Sequence, residues 1–162
     1  MDEPREQVKA QRAALRRVEH DRFETVSARG TRHETLNLVI VVYHPSDDAP
    51  DLNYVAPRRG TAWVSASALQ EGLLRLQALG RTPRFAYLEG LLPPFFRQTL
   101  VESGLELVQD DPVFDPADVA QQTKPVGRLV VYGVPEDKTK ASVDERLAQP
   151  ISEECGPTDC RR

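Results

Sequence analysis

Glu89 lies between an aromatic segment, Phe85 to Tyr87, and the leucine pair Leu91 and Leu92. Partial burial there disfavours the charged carboxylate and raises its pKa, the adjustment that lets a carboxylate serve as a base near neutrality. The structural alternative, a carboxylate that caps the helix after Pro93 or pairs with Arg84 or Arg97, is the preferred reading. Asn53 and Tyr54 could line a polar pocket, although an asparagine ahead of a strand commonly satisfies its own turn. Arg58 and Arg59 could hold an anion. Together Asn53, Tyr54, Arg58, Arg59 and Glu89 form the candidate pocket, with no catalytic residue assigned.

Metal chemistry finds little support in the spacing. His20, His33 and His44 lack the close helical pairing of a hydrolytic metal motif, so no metal site is expected from them. Cys155 and Cys160 could close a small disulfide loop or supply half of a tetrahedral zinc shell. In a reducing compartment they read as free thiols. Trp63 suits core packing or an interface anchor equally well.

The elements that would position these side chains follow from periodicity and punctuation. Leu69, Leu73, Leu76 and Leu79 recur at helical spacing, and Gly80 closes that helix. Pro83 favours extended backbone before it, so Arg84 to Leu88 reads as a strand with Phe85 and Tyr87 on one side. Pro93 or Pro94 opens a second helix carrying Phe96 and Leu100, and Gly104 ends it in a left-handed conformation. Leu105 and Leu107 then begin a strand placed beside that of Phe85. Thr35 to Tyr43 reads as one central strand, apolar on both faces. Phe23, Val26 and Ala28 suggest a first strand ending at Gly30, and Pro125 to Val134 suggests a last one. Arg5 to His20 favours a helix with a thin stripe of Val8, Gln11, Leu15 and Val18.

These signals divide the chain into an N-terminal helix over 1–21, an α/β body over 22–134 and a weakly structured tail over 135–162. The fold class is α/β, a mixed central sheet with packed helices. The 162 residues suffice for one core, and 40% are hydrophobic. With 21 basic and 25 acidic residues the formal charge is −4, which disfavours a dedicated polyanion-binding surface, so nucleic acid is not an expected partner. No apolar run approaches the ~20 residues of a bilayer span. The charged start resembles no secretory signal, and a cytoplasmic protein without membrane attachment is expected.

The segment NYVAPRRGTAWVSASALQEGLLRLQALGRTPRFAYLEGLLPPFFRQTLVESGLELVQDDPVF, Asn53 to Phe114, resembles the N-terminal noncatalytic domain of two-domain members of the GNAT acetyltransferase superfamily. Asn53, Tyr54, Pro83, Arg84, Phe85, Glu89, Pro93, Leu100, Gly104 and Leu105 carry the match, which extends back to Leu36 and covers about half of the chain. The resemblance implies a partial or degenerate GNAT-like fold, with a catalytic domain beginning near residues 125 to 135. Active members hold the pyrophosphate of acetyl-CoA on backbone amides at a glycine-rich strand-to-helix turn. No such turn is evident in the sequence, because Pro135 removes an amide after Gly133 and acidic residues follow. The expected function is therefore a noncatalytic binding or assembly module without a cofactor, part of a split or truncated N-acetyltransferase. Its partner would be a second copy or a catalytic chain, met through the N-terminal helix or a sheet edge. The alternative is an acetyl-CoA-dependent N-acetyltransferase assembled by dimerisation or with a second subunit.

Overall fold

A computed structural model describes residues 3–117 and 124–135. The first helix, α1 (Glu3–Ala28), meets neither glycine nor proline between Arg5 and Arg29. Its residues Leu15, Val18 and Val26 are buried at helical spacing against the sheet. Phe23 to Ala28 is thus helical rather than a strand, and the expected change of element at residues 21 and 22 falls inside α1.

Two short strands follow, β1 (Arg32–Leu36) and β2 (Val39–Tyr43), paired with Leu36 opposite Val39. The continuous strand expected over Thr35 to Tyr43 is broken because Asn37 takes φ 57, a conformation asparagine tolerates and a two-residue hairpin demands. The chain continues through a 3-10 turn, Pro50–Leu52, into β3 (Tyr54–Pro57), then α2 (Ala66–Ala78), β4 (Arg84–Glu89), α3 (Phe96–Glu102), β5 (Glu106–Val113) and β6 (Gly127–Gly133).

The strand order is β1-β2-β3-β4-β6-β5 in an open six-stranded mixed sheet, with β3 and β4 parallel and the other neighbours antiparallel. The sequence expectation that Leu107 stands in the strand beside Phe85 fails, because β6 inserts between β4 and β5. Antiparallel pairing with both neighbours makes β6 part of this sheet, so residues 127–133 do not open a separate domain.

Alternation along the central strands feeds two cores, as the pleat requires. Val39, Val41, Val55, Phe85, Tyr87 and Val130 face the layer of α2 and α3, where Leu69, Leu73, Leu76, Phe96 and Leu100 are buried. Ile40, Val42, Tyr54, Leu88 and Leu129 face α1. Ser65 starts α2 by accepting the Ala68 amide hydrogen bond at 3.1 Å. Gly72 lets that helix sit on the sheet: a Cβ there would lie 2.8 Å from Val55 Cγ1 and 2.9 Å from Val39 Cγ2. The outer strand β5 is exposed and carries Glu106, Asp110, Asp111 and Pro112, residues that discourage addition of another strand.

Arg17 ties α1 to the segment after β5, donating to Asp115 Oδ1 at 3.0 Å and Oδ2 at 2.6 Å, while the Ala117 amide also donates to Oδ1. Those donors, the Arg17 guanidinium foremost, lower the Asp115 pKa from 3.8 to about 2. The folded carboxyl thus binds its proton less readily than the unfolded one. Its stabilisation is full above pH ~4 and is lost as pH falls through the folded value near 2. Because Arg17 is half exposed, the loss should stay below about 1 kcal/mol. Thermal melts across this acid range should separate wild type from Asp115→Asn at the upper end and bring them together at the lower. A constant gap would show that the carboxylate charge contributes nothing.

Candidate functional site

The crevice of this sheet opens at the carboxyl ends of β3 and β4. Their parallel ladder registers Val55 with Phe85, whereas β4 and β6 register all the way from Arg84 to Glu89. Pro57 has no amide hydrogen with which to continue the β3 ladder. Beyond that register the chain turns through Arg58 to Ser65 into α2, and Arg59, Thr61 and Ala62 of this loop border the crevice. Crevices outside the carboxyl ends of parallel strands are common ligand sites in open α/β sheets.

Two spaces meet there. The inner one, about 50 Å³, lies between α1 and the sheet, with Ile40, Val42, Ala86 and Leu129 among its apolar lining. Tyr54 and Thr61 supply polar atoms to it. Burial raises the Tyr54 pKa, opposed by the positive charge of the nearby Arg22 guanidinium. Thr61 is only 9% exposed, and its Oγ1 has no hydrogen-bond partner among the described residues. The outer space is an open cleft of about 690 Å³ whose lining includes Arg12, Ala62, Tyr87, Glu89, Pro93 and Arg97. Tyr87, Leu91 and Leu92 border both spaces.

The chemistry available in the cleft is mainly that of binding. Glu89 Oε2 lies 2.5 Å from Arg97 Nη2, so the carboxylate forms an ion pair, one of the structural roles its sequence setting allows. Burial, with a smaller contribution from Tyr132, pushes the Tyr87 phenol up to about 12. It remains protonated at neutral pH and can offer a hydrogen-bond donor, not a base.

The five candidate pocket residues separate in space. Tyr54 and Arg59 border the inner cavity, and Glu89 borders the outer cleft. Arg59 stacks over Phe23, 5.8 Å from the ring centroid, and its Nη2 lies 2.9 Å from His20 Nδ1. Asn53, 2% exposed, bolts a loop instead. Its Oδ1 accepts from His44 N and Arg81 Nε, and its Nδ2 donates to the Asp47 and Ala49 carbonyls. Arg58 Nη1 donates to the Asn37 carbonyl at 3.2 Å, bracing the β1–β2 turn. His33 packs edge-on to Phe23 and His44 Nδ1 caps the amides of Ser46 and Asp47. No group of three or more His, Cys, Asp or Glu residues fit for a metal occurs among the described residues.

Thr61, Tyr87, Arg22 and Arg12 are the site residues that sequence reasoning missed. Thr61 and Ala62 sit in the connection from β3 to α2, Arg58 to Ser65, which carries the single glycine Gly60 and in which Thr61 N donates to the Arg58 carbonyl at 2.9 Å. The signal was available in PRRGT, which follows a short apolar strand and precedes a serine-capped helix. Cys155 and Cys160, with the remainder of the tail beyond Pro135, lie outside the described residues. No described helix is long and apolar enough to cross a membrane.

No protein-family model and no curated protein matches this chain. In fold it is similar to a GCN5-related N-acetyltransferase from Kribbella flavida. The TM-score is 0.48 and the identity 17%, over 60% of this chain and 38% of that one. The chain thus spans about two fifths of that protein's length, and a likeness of this size assigns no activity.

Proposed function

We propose that this chain is a noncatalytic binding or assembly module with a partial GNAT-like fold, taking its ligand in the cleft beyond β3 and β4. The observation that carries this reading is a cleft large enough for a small molecule whose polar groups are not poised for proton transfer. Glu89 is held by Arg97, and Tyr87 keeps its proton. N-acetyl transfer needs a base to take the proton of an ammonium acceptor and an acid for the departing CoA thiolate. Among the described residues that line the cleft, the base role has no free occupant, because the one carboxylate is ion-paired.

The purified full chain should release no CoA thiol above the buffer rate when given acetyl-CoA and a panel of amine acceptors, followed with a thiol-reactive dye. Sustained, acceptor-dependent release would overturn the noncatalytic reading. A second reading is favoured by the Arg58–Ser65 turn beside the crevice, which is a place where a phosphate could meet backbone donors. In that reading the chain is an acetyl-CoA-dependent N-acetyltransferase completed by a second copy or another subunit. Its mark would be activity that rises faster than linearly with protein concentration, or only after a second chain is added.

A further inference from the structure

Residues 4–13 of α1 are exposed throughout and stand outside the packed part of the helix, which begins at Ala14 and Leu15. An unsupported helix of this length is marginal in water. Arg5, Lys9 and Arg12 repeat along one side of it at intervals of four and three residues, with the exposed Val8 among them. Among the described residues none of these cations has an ion-pair partner, whereas Arg16 is paired with Glu19 and Arg17 with Asp115. Pro4, Arg5, Val8, Lys9 and Arg12 line a shallow groove along this helix. Arg12 also lines the outer cleft, where the apolar Leu91, Leu92, Pro93 and Pro94 stand beside Arg97. The basic track therefore runs without a break into the cleft, on a chain whose net charge is −4.

We propose that this basic face of α1 docks an acidic peptide segment of a partner protein, with carboxylates along Arg5, Lys9 and Arg12 and an apolar residue reaching the leucine–proline wall of the cleft. Charge complementarity supplies the argument for the occupant, and the apolar wall favours a peptide over a polyanion that offers charge alone. A duplex or a lipid surface would also have to approach a molecule of the same sign, while a short segment meets only the local field. The inference rests on the assembly reading of the chain. It names what that assembly would grip, and its test does not depend on acetyl transfer.

The test is fluorescence anisotropy of a fluorescein-labelled peptide of glutamates and leucines titrated with the full chain. Binding should weaken as salt is raised, and the variant Arg5→Glu/Lys9→Glu should bind roughly tenfold more weakly or worse. Both positions are solvent-exposed, so the thermal transition of the variant should match that of wild type, which removes misfolding as an explanation. Replacing the peptide's glutamates with lysines should restore binding to the variant and not to wild type. Equal affinity of wild type and variant for the acidic peptide would overturn the proposal. So would tighter binding of wild type to a single-stranded oligonucleotide or to phosphatidylserine vesicles than to the peptide. CoA release measured on the same samples reports separately on the noncatalytic reading, so the two can fail independently.

Discussion

Phe85→Ala is expected to destabilise the fold by about 3–5 kcal/mol, a large share of the ~5–15 kcal/mol that holds a typical domain together. Phe85 has no exposed surface and sits in β4 under α3, with its ring centroid 5.8 Å from that of Tyr87 and 5.5 Å from that of Phe96. Truncation removes the ring's apolar burial and leaves a cavity that sheet and helices cannot close without moving. It also removes the aromatic partner of two neighbours, since Tyr87 and Phe96 would keep only their mutual edge-on contact. A thermal midpoint lower by at least about 10 °C is the expected readout. Phe95→Ala is the control, because that ring is largely exposed and its loss should stay within about 0.5 kcal/mol. Equal effects of the two substitutions would mean that β4 and α3 do not pack as described.

That central layer was legible in the sequence because burial and periodicity coincide in it. Leu69, Leu73 and Leu76 repeat at the helical interval, Phe85 and Tyr87 at the strand interval, and Gly104 adopts the positive φ expected of a helix end. Val39 to Val42 read as central strand because residues buried on both faces leave an unbroken apolar run. The hairpin within that run was hidden by Leu36 and Leu38, which continue the apolar pattern across a turn that depends on the backbone of Asn37. The insertion of β6 between β4 and β5 involves residues far apart in the chain, and no local pattern encodes which edge a strand joins.

The site was less legible than the fold for a related reason. Asn53 drew notice as a polar residue beside a strand, yet its four hydrogen bonds are all spent on the loop from His44 to Ala49 and on Arg81. Thr61 shares a small cavity with Tyr54 and with Glu19, Arg22 and Phe23 of α1, residues far from it in the chain, and no local pattern foretells that meeting. Glu89 was weighed as a helix cap or a partner of Arg84 or Arg97, and the fold pairs it with Arg97, a carboxylate at a strand end and an arginine in the following helix being near in sequence as well as in space.

Leu15→Ala is expected to loosen the whole of α1 from the sheet, at a cost of about 2–5 kcal/mol. Leu15, 1% exposed, is seated against two residues that have no side chain of their own. A Cβ on Gly90 would come within 2.8 Å of Leu15 Cδ1, and one on Gly127 within 2.6 Å of Cδ2, so the leucine occupies the space that both glycines leave at the ends of β4 and β6. Gly127→Ala should therefore be destabilising on its own, chiefly by pushing Leu15 out of its seat. In the double variant the shortened side chain at position 15 leaves room for the new methyl, although the Glu89 carbonyl at 3.3 Å keeps some crowding in place. Chemical denaturation of the set should show a combined loss smaller than the sum of the single losses by at least about 0.5 kcal/mol. Strict additivity would remove Leu15 from this seat and with it the anchoring of α1. The same geometry decides how the helix can be tested for partner binding: deleting residues 1–20 would remove Leu15 and Val18 together and expose the sheet face beneath them. Self-association of such a truncated chain would report damaged packing, whereas charge reversal at Arg5 and Lys9 leaves that packing intact.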